Sequence, residues 1–364
     1  MKTSEKTPFK DKETGRTIWC ITNSENEDKH TYYDLCPWSP DGRYILFSSA
    51  NPQDLVASSN ARVTQKGEVY IMDTRAFART KIAENVLFDS HQGTGAIWDP
   101  KGNKIYFRQT VSRTCSINLD TKESICSLEG YLPCWLNPDG RFVYDSYDQN
   151  GQGRGIYTRN SDGSDVTMVA SIEELYKVSP YKDAFSVNEV NANLAKWSPN
   201  GKYIAVVVWV GSRAGSQIQG SIVIVSKDGS EKWWLSFVGH HHSFTPDNKS
   251  LIWGDWTNFA QKRDSRITII KIDGTDKHFV VDEPYSGHPT MDPSCKKILT
   301  SDDQGVILID INKQDVERLC FFNPKFDLSH AGTHPHCAWN HDGSQIIYNS
   351  AQTGKSKLYV MSLQ

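Results

Sequence analysis

The chain has 364 residues, 38% of them hydrophobic, including 11 Trp, 15 Tyr and 14 Phe. That composition supplies a core and excludes broad disorder, and no apolar run approaches the ~18–20 residues of a membrane-spanning helix. Forty Lys and Arg against 43 Asp and Glu leave a formal net charge of −3, without the basic excess that general nucleic-acid binding needs.

The first residues, MKTSEKTPFKDKETGRTIW, carry charges but no apolar segment and no small-residue cleavage site, so they do not read as a secretory signal. Residues 1–14 are expected to form a flexible or loosely packed segment. None of the eight cysteines stands in a C-x-x-C pair, which removes a zinc-ribbon reading, and eight are too few for a disulfide scaffold. Most are expected to be reduced, buried small hydrophobes in a cytoplasmic protein.

One pattern recurs seven times along the chain: a large apolar residue, a Pro/Asp/Gly-type turn, then an apolar strand. It is seen at Trp38 (WSPDGRYILFSS), Trp98 (WDPKGNKIYFRQ), Trp135 (WLNPDGRFVYDS), Trp197 (WSPNGKYIAVVV), Phe244 (FTPDNKSLIWGD), Met291 (MDPSCKKILTSD) and Trp339 (WNHDGSQIIYNS). Proline fixes φ in six of the seven turns, with His341 in its place in the last, and the glycine or its substitute takes φ > 0. Alternating runs such as RYILF fit a half-buried strand. Third strands follow at EVYIMDT (68–74), GVILIDI (305–311) and KLYVMSL (357–363), and only SIEELYKV (171–178) has helical character. A repeat of roughly 50 residues with four short strands is a propeller blade. The fold class is therefore all-β: a seven-bladed β-propeller, one domain over residues 1–364. The last repeat supplies about three strands, so GRTIWCIT (15–22) is expected to complete it and close the ring. The polar stretches 48–67 and 147–165 read as surface loops.

In a propeller the strand before each turn is innermost, so equivalent positions converge. Three residues before each repeat's large apolar residue stand Leu35, Gly95, Leu132, Leu194, His241, His288 and His336. Three consecutive blades thus carry histidine at one position. His334, two residues before His336, points to the same face on a strand. Converging imidazoles suit Mn, Fe, Ni or Zn. His330 is a further candidate for that site. His240 and His242 alternate away from His241, and His341 falls in a turn. His30 and His91 lie near the mouth of the channel. Arg213, in a Gly/Ser loop after an apolar strand, is of the type that clamps a carboxylate. The repeat tryptophans belong in the core, with Trp233 and Trp234 one in and one out. Nucleophile-elbow, P-loop and dinucleotide-binding motifs are absent.

TGRTIWCIT followed by DKHTYYDLCPWSPDGRYILF resembles the opening of oligogalacturonate lyases, polysaccharide lyase family 22. GHHHSFTPD, SGHPTMDP and THPHCAWNHDG resemble the histidine segments of that family's fifth, sixth and seventh blades. The turns alone are shared with many TolB-like propellers. The resemblance implies a cytoplasmic enzyme of pectin degradation that depends on a divalent metal, typically manganese, and cleaves short galacturonate oligomers by β-elimination. It implies that His288, His334 and His336 hold the metal, that His241 is the catalytic base, and that Arg213 binds a substrate carboxylate. The ring position of His241 equally fits a fourth ligand. The chain departs from the family at Ala331, where a glutamine ligand is expected, and at Cys337, where proline is usual. His330, Thr333 or water would replace the glutamine.

The chemistry is consistent with those residues. The C5 proton of a uronate becomes acidic when the C6 carboxylate is neutralised, which a metal held by neutral histidines achieves. An unligated histidine then removes the proton near neutral pH. Metal identity stays open among Mn2+, Zn2+, Fe2+ and Ni2+. The expected partner is a uronate oligosaccharide, with no nucleic acid or membrane, for a monomer or homodimer. Two alternatives stand beside this reading. One is a related propeller lyase acting on another polyanion such as ulvan, with His91, Tyr32 and Tyr33 as its reactive groups. The other is a TolB-like binding or scaffold propeller.

Overall fold

The chain forms a seven-bladed β-propeller. The structure, a computed structural model, describes residues 4–58, 61–129, 135–147, 153–210, 219–237, 241–254, 266–282, 287–322 and 334–363. Each blade is an antiparallel sheet. Blade 2, for example, runs Ile97–Trp98, Lys104–Arg108, Arg113–Asn118, Ser124–Glu129. Blade 4 runs Val190–Trp197, Tyr203–Val210, Gln219–Ser226, Lys232–Phe237.

In six blades the repeat residue pairs with the second residue of the following strand: Trp38 with Ile45, Trp98 with Ile105, Trp197 with Ile204, Phe244 with Leu251, Met291 with Ile298 and Trp339 with Ile346. In blade 3, Trp135 opens its strand and pairs with Val143. These side chains are buried. Between the paired strands the turn is the same in every blade. A carbonyl at Ser39, Asp99, Asn137, Ser198, Thr245, Asp292 or Asn340 accepts from the N–H three residues on. That third residue has positive φ in all seven turns, at Gly42, Gly102, Gly140, Gly201, Asn248, Cys295 and Gly343.

The chain divides into two compact units. One holds blades 1, 2, 6 and 7, and the other, residues 133–289, holds blades 3, 4 and 5. In the first unit, Thr17–Cys20 pairs with Lys357–Ser362, so an N-terminal strand does complete the last blade. Thr7–Lys10 adds a fifth strand outside Thr17–Cys20, and Glu5 forms an ion pair with Arg79. Backbone pairing, not an apolar face, holds this exposed strand.

The stretches read as loops also contain strands. Arg62–Asp73 begins inside 48–67 and pairs back on Val56–Ala57, and Arg154–Asn160 lies inside 147–165. Ile172–Val178 is a helix, opened by a capping box in which Ser171 and Glu174 bond each other's backbone N–H. Cys115 and Cys126 are joined across blade 2, while Cys20, Cys36, Cys295, Cys320 and Cys337 are thiols. No helix among the described residues is long and apolar enough to cross a membrane.

Candidate functional site

Three residues before the repeat residue, Gly95, Leu194, His241 and His336 have positive φ, whereas Leu35 and His288 do not. A left-handed residue interrupts the two-residue alternation, and in blade 4 the pairing slips between Asn193 and Lys196. The irregularity re-aims the side chain that precedes the strand.

In the four-blade unit this device brings His336 beside His334 and His91. The ring centroids are 4.2 Å apart for His91–His334, 5.1 Å for His91–His336 and 5.4 Å for His334–His336. One nitrogen from each ring lies within 4.8 Å of the others. Tyr32 stands edge-on to His336 at 4.9 Å and lies 6.3 Å from His91, with Tyr33 packed on Tyr32 at 4.6 Å.

The His334–Pro335–His336 segment is held from below by Asn349, which is fully buried. Its N–H donates to the Pro335 carbonyl at 2.8 Å and its side-chain amide to the His334 carbonyl at 3.2 Å. Its amide oxygen accepts from the His30 N–H at 3.2 Å. The His30 ring is buried against the same segment. Burial lowers its pKa to about 3, with the Pro335 and His336 carbonyls acting in the opposite sense.

Burial, with nearby cations, lowers the pKa of two of the three rings. Burial lowers His334 to about 3, helped by His91 and Lys29. Burial also lowers His91, with Lys29 and Arg108 in the same direction and Asp89 opposing. Lys29 is itself buried, which lowers it to about 8 against the pull of Glu27 and Asp89. Neutral imidazoles offer lone pairs, so the donor set fits a divalent transition metal.

In the three-blade unit His241 and His288 form a second pair, with ring centroids 4.2 Å apart. The buried Lys196 ammonium donates to the His242 carbonyl at 2.7 Å and lies 4.7 Å from the Trp135 ring centroid. Ser243 Oγ donates to the Pro289 carbonyl at 3.1 Å. Both bonds fix backbone next to the two histidines. His242 is buried. His341 is exposed but tied down, its Nε2 lying 3.0 Å from the Ser39 carbonyl. Arg213, His240, His330, Ala331 and Thr333 lie outside the described residues.

Sequence reasoning placed His91 near the mouth of the channel and gave it a role only as a reactive group of the ulvan-type alternative, not as a metal ligand. The signal was its turn, D-S-H-Q-G-T-G (89–95), in which Asp89 caps the backbone of His91. Lys29 and Asn349 carry no motif and emerge only from the fold.

No protein-family model matches the chain, and no curated protein sequence does. Solved structures do match in fold. An oligogalacturonate lyase in complex with manganese superposes with a TM-score of 0.75 at 14% identity, covering 100% of this chain and 99% of that one. An oligogalacturonate lyase from Vibrio parahaemolyticus gives 0.73 at 12% identity, covering 100% and 97%. The β-propeller domain of Cps50 (Swd1) from Myceliophteria thermophila gives 0.57 at 9% identity, covering 94% and 99%. At these identities the likeness establishes the propeller fold, shared over the whole chain with the two lyases.

Proposed function

We propose that this propeller is a metal-dependent lyase that cleaves short uronate oligosaccharides by β-elimination. The observation that carries the reading is the cluster of His91, His334 and His336, whose nitrogens lie within 4.8 Å of one another. The full-length fold likeness to an oligogalacturonate lyase in complex with manganese supports it. His91, His334 and His336 would hold the ion, manganese first among Mn2+, Zn2+, Fe2+ and Ni2+. His288 keeps the further ligand role, and His241 the base role, that the sequence resemblance implies. When bound, the ion supplies positive charge for a uronate carboxylate, which acidifies the adjacent C5–H.

The chain's own residues do the rest. His241 takes the C5 proton on an imidazole nitrogen, the C4–O bond to the leaving sugar breaks, and a C4–C5 double bond forms. The departing oxygen needs a proton, and the Tyr32 hydroxyl, on a ring 4.9 Å from that of His336, is the donor we assign. Asn349 and His30 hold the His334–His336 backbone in register. Arg213 keeps its role as carboxylate clamp, and cytoplasmic action on imported oligomers remains part of the proposal.

The test is metal analysis of purified protein beside a His334→Ala/His336→Ala double variant, with ultraviolet detection of an unsaturated product from galacturonate oligomers. About one equivalent of metal, lost in the double variant, together with the conjugated chromophore, supports the reading. Metal-free protein that yields no chromophore after soaking in Mn2+ or Zn2+ defeats it and favours a binding propeller.

A second reading rests on the contact of Tyr32 with both His91 and His336. It is a propeller lyase acting on another polyanionic uronate such as ulvan, with a His/Tyr pair as the reacting groups. Turnover that survives His241→Ala but not His91→Ala or Tyr32→Phe selects it.

A further inference from the structure

In blade 2 the position that carries histidine in blades 5, 6 and 7 is Gly95. Its φ is +63°, and a Cβ there would lie 2.9 Å from Arg108 Nε. Arg108 occupies the room a side chain would need. The histidine of this blade comes instead from four residues upstream, on the turn 89–95.

That turn is held by a dense set of hydrogen bonds. Asp89 Oδ1 accepts from the N–H of His91 at 2.9 Å and of Gln92 at 2.6 Å. The backbones of Asp89 and Gly93 exchange both hydrogen bonds at 2.9 Å. The Arg108 guanidinium pairs with the other Asp89 oxygen, donates to the Gly93 carbonyl at 2.9 Å, and reaches the Thr94 carbonyl at 3.4 Å. Ser48 Oγ accepts from the Thr94 N–H at 3.0 Å and meets the Thr94 hydroxyl at 2.7 Å. The Arg108 and Asp89 side chains are only 5% and 15% exposed, so water does not compete for these contacts.

We infer that Arg108 and Asp89 are positioning residues whose joint role is to hold His91 in the three-histidine cluster. One guanidinium satisfies three acceptors of one turn, a task that a lysine ammonium, a single point charge, cannot reproduce with the same geometry. Partners behind a metal-binding imidazole fix its orientation, and losing them typically lowers metal affinity 10–100-fold. The inference rests on the metal-binding reading above for its consequence, but the positioning itself is measurable without metal.

The experiment uses full-length, metal-free protein with 13C-labelled histidine, assigned by single His→Ala variants, and compares wild type with Arg108→Met, Arg108→Lys and Asp89→Ala. The expected result is that the His91 ring signal broadens or splits in all three while those of His241 and His288 keep their line widths. Mn2+ titration of the same samples should show an affinity roughly tenfold or more below wild type. An unchanged His91 signal overturns the inference. So does broadening of every histidine signal alike in all three variants, since the pair would then support the fold and not one ring. Wild-type protein that binds no Mn2+ while the His91 signal responds as expected removes the metal-binding reading and leaves the positioning standing.

Discussion

The imidazole of His91 meets that of His334 edge-on, with 4.2 Å between ring centroids. The two rings come from blades 2 and 7, at opposite ends of the chain, so the cluster exists only once the four-blade unit has folded. His91→Ala removes one of three nitrogen donors. Affinity for Mn2+ should fall at least tenfold while the melting temperature stays within a few degrees, because a half-buried loop side chain contributes little to the core. A chelator-competition titration measures it, and an affinity equal to wild type would remove His91 from the site.

Asn349 links three pieces of backbone beneath the cluster, at His30, His334 and Pro335. Asn349→Leu keeps the volume but leaves the His30 N–H and the His334 carbonyl without this partner. Burial of two unsatisfied polar groups should cost roughly 2–4 kcal/mol, read as a lower denaturant midpoint at unchanged m-value. Metal affinity should fall with it, since the His334–His336 segment loses its support. A stability loss with full metal affinity would mean that the segment is held by other contacts.

The seven turns allow a cleaner test of backbone conformation. Gly42 and Cys295 occupy the same left-handed position, with φ of 70° and 57°. A Cβ on Gly42 would meet nothing within 4 Å, so Gly42→Ala isolates the dihedral cost, about 1–2 kcal/mol. Cys295→Gly runs the other way and should stabilise by ~0.5–1 kcal/mol after the entropy of a freer unfolded chain is counted. Denaturant melts of both variants decide it. Equal midpoints would show that the turn tolerates either residue.

The blades were legible because the repeat is local. A turn with one left-handed residue, between a large apolar residue and an alternating strand, is written out in about ten consecutive letters, and all seven form as expected. The rings of His334 and His336 lie 5.4 Å apart, but outside any strand and with His336 left-handed, so strand alternation is not what brings them together. The fifth strand Thr7–Lys10 was not legible, because its four exposed residues show no burial pattern and are held by backbone pairing. The joining of His91 to the cluster was also hidden. In the inference above it rests on Arg108, which bonds the Gly93 carbonyl and fills the space a Cβ on Gly95 would need, and nothing in the turn's letters names that arginine.

A buried charge cluster joins the N-terminal segment to the last strand. Asp28, with no exposed side-chain surface, lies 3.5 Å from the Lys357 ammonium and 3.6 Å from the Arg79 guanidinium, and accepts from Ser24 Oγ at 2.7 Å. Asp28→Asn leaves two cations facing a neutral amide in a dry site. The loss should be about 3–5 kcal/mol, much more than an exposed ion pair contributes. Asp28→Asn/Lys357→Met should recover part of it, because the double change removes a charge along with its partner. A double variant no better than the single would place the cost elsewhere than in the stranded ammonium.

Acid should loosen the sixth blade through Asp302. Burial raises its carboxyl pKa, but the Arg318 guanidinium, bonded at 2.7 and 2.6 Å, and the N–H groups of Gln304 and Gly305 outweigh that and hold it below the usual range. A carboxyl with a lowered folded-state pKa stabilises fully above its unfolded value, about 3.9, and loses that contribution as pH falls through the folded one. Denaturant midpoints should therefore drop as pH is lowered from about 5 towards 3. Arg318→Met should flatten that dependence, since the folded carboxyl then titrates closer to its unfolded value. A wild-type acid limb that Arg318→Met leaves unchanged would assign the acid sensitivity to other carboxylates, Asp11 first, whose pKa is also lowered, by the Phe321 and Thr14 N–H groups against its burial.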